Sequence, residues 1–153
     1  MTPTDTLDTL RTASARTKAG RKAITAALIA IGERHGATVT TREEAPNPGW
    51  RGAGTTLTFT LAGVGALVSV SDLHERSGMR GAVLSWYKDY SDPQTRGRDF
   101  APAFNCAVGE LGKYRPHHKA TSVGEWHDIA RALDRGLELA ASGKAFLPCE
   151  GEG

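Results

Sequence analysis

The sequence has no long apolar run, few cysteines and none of the short motifs that mark common enzyme classes. No apolar stretch approaches the roughly 20 residues that a membrane-spanning helix needs. The two cysteines, Cys106 and Cys149, lie far apart and form no CxxC pair, which favours two free thiols. The patterns GxSxG, GxxxxGKS/T and GxGxxG are also missing, so the usual signals of hydrolases, P-loop enzymes and dinucleotide-binding folds are absent.

The chain length and the first residues set the expected class of protein. A chain of 153 residues fits one domain with a conventional core, so we expect residues 1–153 to form a single α+β domain. The opening MTPTDTLDTLRT shows no basic region followed by an apolar stretch, so no secretory signal is expected. Together with the free thiols, this predicts a cytoplasmic protein.

Charge is unevenly distributed along the chain. The formal net charge is only +2, yet residues 1–35 hold six Lys or Arg against three acids. Residues 76–119 hold eight Lys or Arg against four acids, and residues 120–153 hold three against six. Such asymmetry can orient a protein on a polyanion, and ordinary surface charge is the alternative interpretation.

The N-terminal segment has the periodicity of one long helix. Apolar residues recur on one side at about 100° per residue. Asp5 is the expected N-cap, Gly36 marks the C-terminal end, and Gly20 indicates either close packing or a break. The opposite side carries a basic ridge, which is either a solvated face or a binding surface. This ridge consists of Arg11, Lys18 and Lys22.

Four segments have the character of strands. They are residues 37–41, 55–63, 65–73 and 82–90. In the second segment Leu57, Phe59 and Leu61 alternate with threonines, which is typical of a half-buried antiparallel strand. Gly63-Val64-Gly65 supplies a tight turn, and the short connections predict that neighbouring strands pair.

The C-terminal part combines a long unpatterned stretch with a clear helix. Residues 91–121 lack periodicity and predict a long irregular loop, a feature that is often functional. Ser122 and Glu125 form a capping box that opens the final helix, and residues 148–153 are expected to fray. The apolar stripe of this helix consists of Trp126, Ile129, Ala130, Leu133, Leu137 and Ala140.

These elements predict an α+β fold. It consists of a four-stranded antiparallel meander sheet with the N- and C-terminal helices packed on one face. The other face, which bears Thr56, Thr58 and Thr60, is then open to solvent or to a partner.

The order of elements resembles the α-β-β-β-α order of double-stranded-RNA-binding domains. The second helix of this chain opens in SVGEWHD, which carries acids rather than the lysine-rich start of that family, and the chain is much longer. The resemblance implies an element order, and function has to be argued from the side chains.

A segment of basic and aromatic residues carries the main functional signal. Between Arg76 and Lys119 eight cations are interleaved with aromatic side chains. Lysine and arginine neutralise phosphates, and aromatic rings offer stacking surfaces for unpaired bases. The alternative is a structural role: at least one ring of the Trp86–Tyr87 pair belongs to the core, because successive residues of a strand face opposite ways.

Two adjacent histidines allow a catalytic alternative. His117 and His118 are able to bind a metal or transfer protons, but no further ligands are evident, since HERS at 74–77 lacks the second histidine of a zinc helix. Cys106 has small apolar neighbours and reads as a buried structural thiol. No catalytic residue, metal or cofactor is therefore predicted.

The favoured function is that of a small non-catalytic binding protein that contacts nucleic acid or a nucleoprotein complex. Two alternatives stay open. One is an accessory or inhibitory protein of a mobile element, which contacts a host protein through the open sheet face or the acidic C-terminal helix. The other is an enzyme on an anionic or phosphorylated substrate, with His117 or His118 as general acid or base. The residues expected to bind the anion are Arg76, Arg80, Arg96, Arg98, Tyr114, Arg115, His117, His118 and Lys119, with Arg11, Lys18 and Lys22 as a second patch.

Overall fold

The computed structural model describes residues 10, 13–44, 54–71, 83–102, 104, 112–114, 118–122 and 126–147, with the backbone alone for 112–114 and 118–122. Its helices are α1 (Lys18–Arg34) and α2 (Trp126–Ala141). Its strands are β1 (Thr38–Glu44), β2 (Gly54–Leu61), β3 (Val64–Ser71), β4 (Val83–Lys88), β5 (Asp99–Phe100), β6 (Gly112–Tyr114), β7 (His118–Ser122) and β8 (Phe146–Leu147). Within the described ranges, no helix has the length and apolar character needed to cross a membrane.

Strands β1 to β4 form the predicted antiparallel meander. Each strand pairs with the next along the chain, and β7 and β6 extend the sheet beyond β4 in the order β1-β2-β3-β4-β7-β6. The turn between β2 and β3 consists of Ala62 and Gly63, both with positive φ (50° and 84°). Positive φ at both central residues is the geometry of a type I′ turn, whose twist matches that of the flanking strands.

Both helices pack on one face of the sheet, as predicted. Phe59, Ala66 and Trp86 occupy one cross-strand row. Gly32 of α1 packs so closely on the Phe59 ring that a Cβ atom on this glycine would clash with the ring. Gly136 of α2 packs on the Trp86 ring in the same way. The row therefore anchors both helices, and the α+β fold is confirmed.

The core lies between this sheet face and the two helices. The helix α1 contributes Ile24, Leu28 and Ile31, all at most 3% exposed. The predicted stripe of α2 is buried throughout, from Trp126 to Ala140. The apolar periodicity of both helices therefore predicted correctly which side faces the core.

The start of α1 differs from the prediction of one long helix. Residues 13–17 are not helical, and α1 begins after an N-cap at Thr17, whose hydroxyl accepts a hydrogen bond from the Gly20 amide at 2.9 Å. The Ser14 carbonyl lies where a Cβ of Gly20 would project, so this glycine permits a break followed by close packing. The predicted cap Asp5 lies outside the described residues.

The stretch predicted as an irregular loop, residues 91–121, also differs. It contains a short 3-10 turn and the strands β5, β6 and most of β7. Strand β7 has no alternating pattern of its own, but it pairs with β4 from Val83 to Tyr87. The free edge of β4 offers backbone hydrogen bonds to any adjacent segment, so tertiary context decides the structure here.

We expect Gly136→Ala to destabilise the protein, although alanine is the better helix former. The new methyl group would overlap the Trp86 ring, and overpacking of this kind costs about 1–3 kcal/mol, which exceeds the gain in helix propensity of about 1 kcal/mol. Urea unfolding should show a loss of about 1–2 kcal/mol. Arg131→Ala, on the exposed side of the same helix, is the control and should change the free energy of unfolding by less than about 0.5 kcal/mol. A more stable Gly136→Ala protein would contradict this packing.

Candidate functional site

An open groove of about 710 Å³ runs between α1 and the far end of the β1–β2 hairpin. Glu43 of β1 and Thr55 of β2 pair with each other, and Thr55 is two residues along β2 from the buried Leu57. All three residues therefore lie on the same face of the sheet. The groove forms because the inner sheet face extends past the core here. Its described lining consists of Lys18, Arg21, Lys22, Thr25, Ala26 and Ile29 of α1, together with Glu43, Gly54 and Thr55.

Two lysines on α1 give the groove its charge. Lys18 and Lys22 lie one helical turn apart, both are exposed, and neither forms an ion pair with another described residue. The first turn of α1 contains no acid. Lys18 lies in the first turn, where a cation at the positive end of the helix dipole costs about 0.3–1 kcal/mol, and the like charge of Lys22, four residues on, repels it. These lysines therefore do not stabilise the helix, which marks them as candidates for binding.

Arg21 builds the wall between the two lysines and the preceding turn. Its side chain is half-buried, and Nη1 donates a hydrogen bond to the Ala15 carbonyl at 2.8 Å. This bond holds residues 13–17 against the helix. Arg21 thus combines a positioning role with a third positive charge beside the groove.

The opposite wall presents a carboxylate. The Thr55 hydroxyl donates a hydrogen bond to Oε1 of Glu43 at 3.0 Å, across a register pair of β1 and β2. Farther along α1, Ala26 and the half-buried Ile29 add apolar surface. The described lining of the groove therefore combines three cations, an apolar stretch and one carboxylate.

The structure separates Arg96 and Arg98 from the groove. Lys88, the last residue of β4, pairs with Val64 at one end of β3, and its Nζ donates to the Arg98 carbonyl at 3.1 Å. The groove residue Gly54 pairs with Ser71 at the other end of β3. Of the predicted second patch of Arg11, Lys18 and Lys22, the two lysines line the groove, at the opposite end of the sheet from Arg96 and Arg98.

Arg98 has a structural role. Its Nη2 donates to the Phe146 carbonyl at 3.3 Å, and its guanidinium lies 5.9 Å from the centre of the Phe146 ring. The half-buried side chain joins the segment after β4 to strand β8. Arg96 lies in the preceding turn and is exposed.

The remaining predicted residues are described by backbone position or lie outside the described residues. His118 pairs with Tyr87, and Lys119 pairs with Trp86 on one side and Tyr114 on the other. His118 and Lys119 are successive positions of one strand, which alternate between sheet faces. The predicted residues that lie outside the described part of the chain are Arg11, Arg76, Arg80, Arg115 and His117.

The acids of α2 are partly neutralised. Oδ1 of Asp134 accepts from Nη2 of Arg34 and lies 2.7 Å from Nε2 of His35. Glu138 pairs with Arg135 at 3.2 Å. This helix carries both signs on its surface and links to the C-terminal end of α1. Among the described residues, no group of three His, Cys, Asp or Glu is close enough to hold a metal ion.

The open sheet face is rich in hydroxyl groups. Thr38 pairs with Thr60, and Thr40 pairs with Thr58. Tyr87 lies over Gly65, whose missing side chain leaves room for the ring. Burial, and secondarily the nearby charge of Asp89, raises the pKa of Tyr87 above the ordinary 10.0.

Sequence reasoning missed the groove residues Arg21, Thr25, Ile29, Glu43 and Thr55. One signal was present, because Lys18, Lys22, Thr25 and Ile29 form a stripe beside the apolar stripe of α1. The position of Glu43 in the groove depends on the register of β1 and β2, and no local pattern around Glu43 specified that register.

Comparison with protein-family models, curated proteins and solved structures finds no match to this chain. The function therefore has to be inferred from the geometry and chemistry of the site.

We expect Asp134→Asn to lower the free energy of unfolding by about 1 kcal/mol, because it leaves Arg34 and His35 without their shared carboxylate. Urea unfolding at neutral pH measures the loss. Glu138→Gln is the matched control, since it removes an exposed pair within α2 worth about 0.2–0.5 kcal/mol. An equal effect of both substitutions would show that the Asp134 cluster does not join the helices.

We expect the stability of the protein to fall as the pH rises above about 10, and Tyr87→Phe to reduce that fall. The unfolded chain releases the Tyr87 proton first, because the folded pKa is raised, so the folded state loses its advantage as the pH passes through the folded pKa. Urea unfolding between pH 8 and about 11 tests this. Tyr90→Phe, at a ring that is 62% exposed, is the control. A steeper fall in Tyr87→Phe would contradict the sign of the shift.

Proposed function

We propose that this protein is a small, non-catalytic cytoplasmic binding protein that contacts nucleic acid, alone or in a nucleoprotein complex, through the basic groove beside α1. The observation that carries the proposal is the pair Lys18 and Lys22. Both ammonium groups are exposed and unpaired among the described residues, and they share one groove.

The charge balance of the groove favours a polyanion. Three cations and one carboxylate line it, so the local charge is positive while the whole chain carries only +2. Lysine binds phosphate as a flexible point charge, and each phosphate that is neutralised releases counterions. Long-range attraction of this kind gives association that weakens steeply with salt.

The contact is expected to be small. Lys18 and Lys22 are separated by about 6 Å along the helix axis, given a rise of 1.5 Å per residue, so they can reach neighbouring phosphates of one strand. Arg21 contributes mainly through its positive charge, because one of its guanidinium donors already bonds to the Ala15 carbonyl.

We expect the double variant Lys18→Gln/Lys22→Gln to bind DNA and RNA at least about tenfold more weakly at low salt, because two phosphate contacts are lost. The slope of log K against log salt should fall by about 1.4–1.8, which corresponds to two contacts. Fluorescence anisotropy with labelled single-stranded and duplex oligonucleotides at two salt concentrations measures both quantities.

The control is Arg131→Gln/Lys144→Gln, which removes the same charge from two exposed positions outside the groove. It should leave the salt slope nearly unchanged. Circular dichroism and urea unfolding verify that both double variants fold. An equal loss in the control would remove the groove from the interface, and no binding by the wild-type protein to any oligonucleotide would overturn the proposed function.

A further inference from the structure

The groove has a wall that phosphate binding does not use. Beyond Lys22, α1 contributes Ala26 and Ile29 to the lining, and β1 contributes the carboxylate of Glu43. We propose that this part of the groove accepts an unpaired base of single-stranded nucleic acid, and that Glu43 selects bases with an exocyclic amino group. The inference rests on the proposed function and names its substrate class.

The size of the groove favours a single strand. A volume of about 710 Å³ is within the range of about 300–1,000 Å³ that holds small-molecule ligands, which suits one or two nucleotides. A duplex keeps its bases paired and stacked, so only its backbone would reach the lysines. An unpaired strand can place phosphates on Lys18 and Lys22 and turn a base toward Ile29.

The chemistry of Glu43 provides the selection. An ionised carboxylate only accepts hydrogen bonds, and it pairs with the amino group of cytosine or adenine. Thymine and uracil carry a carbonyl oxygen at the equivalent position, which would face the carboxylate without a proton between them. Discrimination then comes from repulsion of the wrong base as well as attraction of the right one.

The surroundings of Glu43 keep it available. Thr55 donates to Oε1, which leaves the second carboxylate oxygen for a ligand. None of the groove cations forms an ion pair with Glu43, although all of these side chains line the same space. The described lining thus offers unpaired lysines and an available carboxylate in one groove, which matches a ligand that carries both a phosphate and an amino group.

The test compares oligo-dC with oligo-dT of equal length at neutral pH, by fluorescence anisotropy. We expect the wild-type protein to prefer oligo-dC by roughly tenfold, near the low end of the discrimination found for a good base contact. Glu43→Gln should bring this ratio close to one, because an amide can both donate and accept, while overall affinity rises as a negative charge is removed.

Glu33→Gln is the matched control, since Glu33 is exposed on α1 and does not line the groove. It removes the same charge and should raise the affinity for both oligonucleotides while preserving their ratio. Equal wild-type affinity for dC and dT, an unchanged ratio in Glu43→Gln, or tighter binding of duplex than of single strands would overturn the inference but leave the proposed function standing. No binding of any oligonucleotide would overturn both.

Discussion

The cross-strand row of Phe59, Ala66 and Trp86 is the constraint on which the rest of the structure depends. Glycines of both helices meet this row, Gly32 at Phe59 and Gly136 at Trp86. Close approach fixes where each helix axis lies over the sheet, since larger side chains would force it away. The C-terminal half of α1 is thereby held against β1 and β2, and the groove remains beside its N-terminal part.

The groove follows from a conflict between local and tertiary preferences. The first turn of α1 places Lys18 at the positive end of the helix dipole, and Lys22 follows one turn later, so Lys18 opposes the dipole and the two lysines repel each other. The N-cap Thr17 offsets part of this, at about 1 kcal/mol, and the bond from Arg21 to Ala15 ties down the preceding turn. Local rules that are broken without a gain in stability tend to occur at functional sites, and the unpaired lysines fit that description.

Much of the fold could be predicted from local patterns, whereas of the groove only Lys18 and Lys22 were among the predicted site residues. The alternation around Leu57 and Phe59 and the stripe of α2 follow directly from side-chain period, so the meander and the core side of the helices were predictable. The break before Lys18 depends on the Ser14 carbonyl, which occupies the space beside Gly20. The formation of β7 depends on the open edge of β4. That Lys22 and Glu43 line one groove requires both a hairpin register and a helix position, and neither is encoded near those residues.

The distribution of cations also limits how this protein can bind. Strand β3 has eight residues and is about 23 Å long, given the rise of a strand, and the groove and Arg98 lie toward opposite ends of it. Arg98 is half-buried and one of its guanidinium donors bonds to the Phe146 carbonyl, so fewer of its donors are available to a phosphate. If the groove binds nucleic acid as proposed, its described residues would contact two phosphates and one base. So small a footprint gives weak and strongly salt-dependent affinity on its own, which favours a protein that acts within a larger nucleoprotein complex, where linked contacts raise the effective concentration of its ligand.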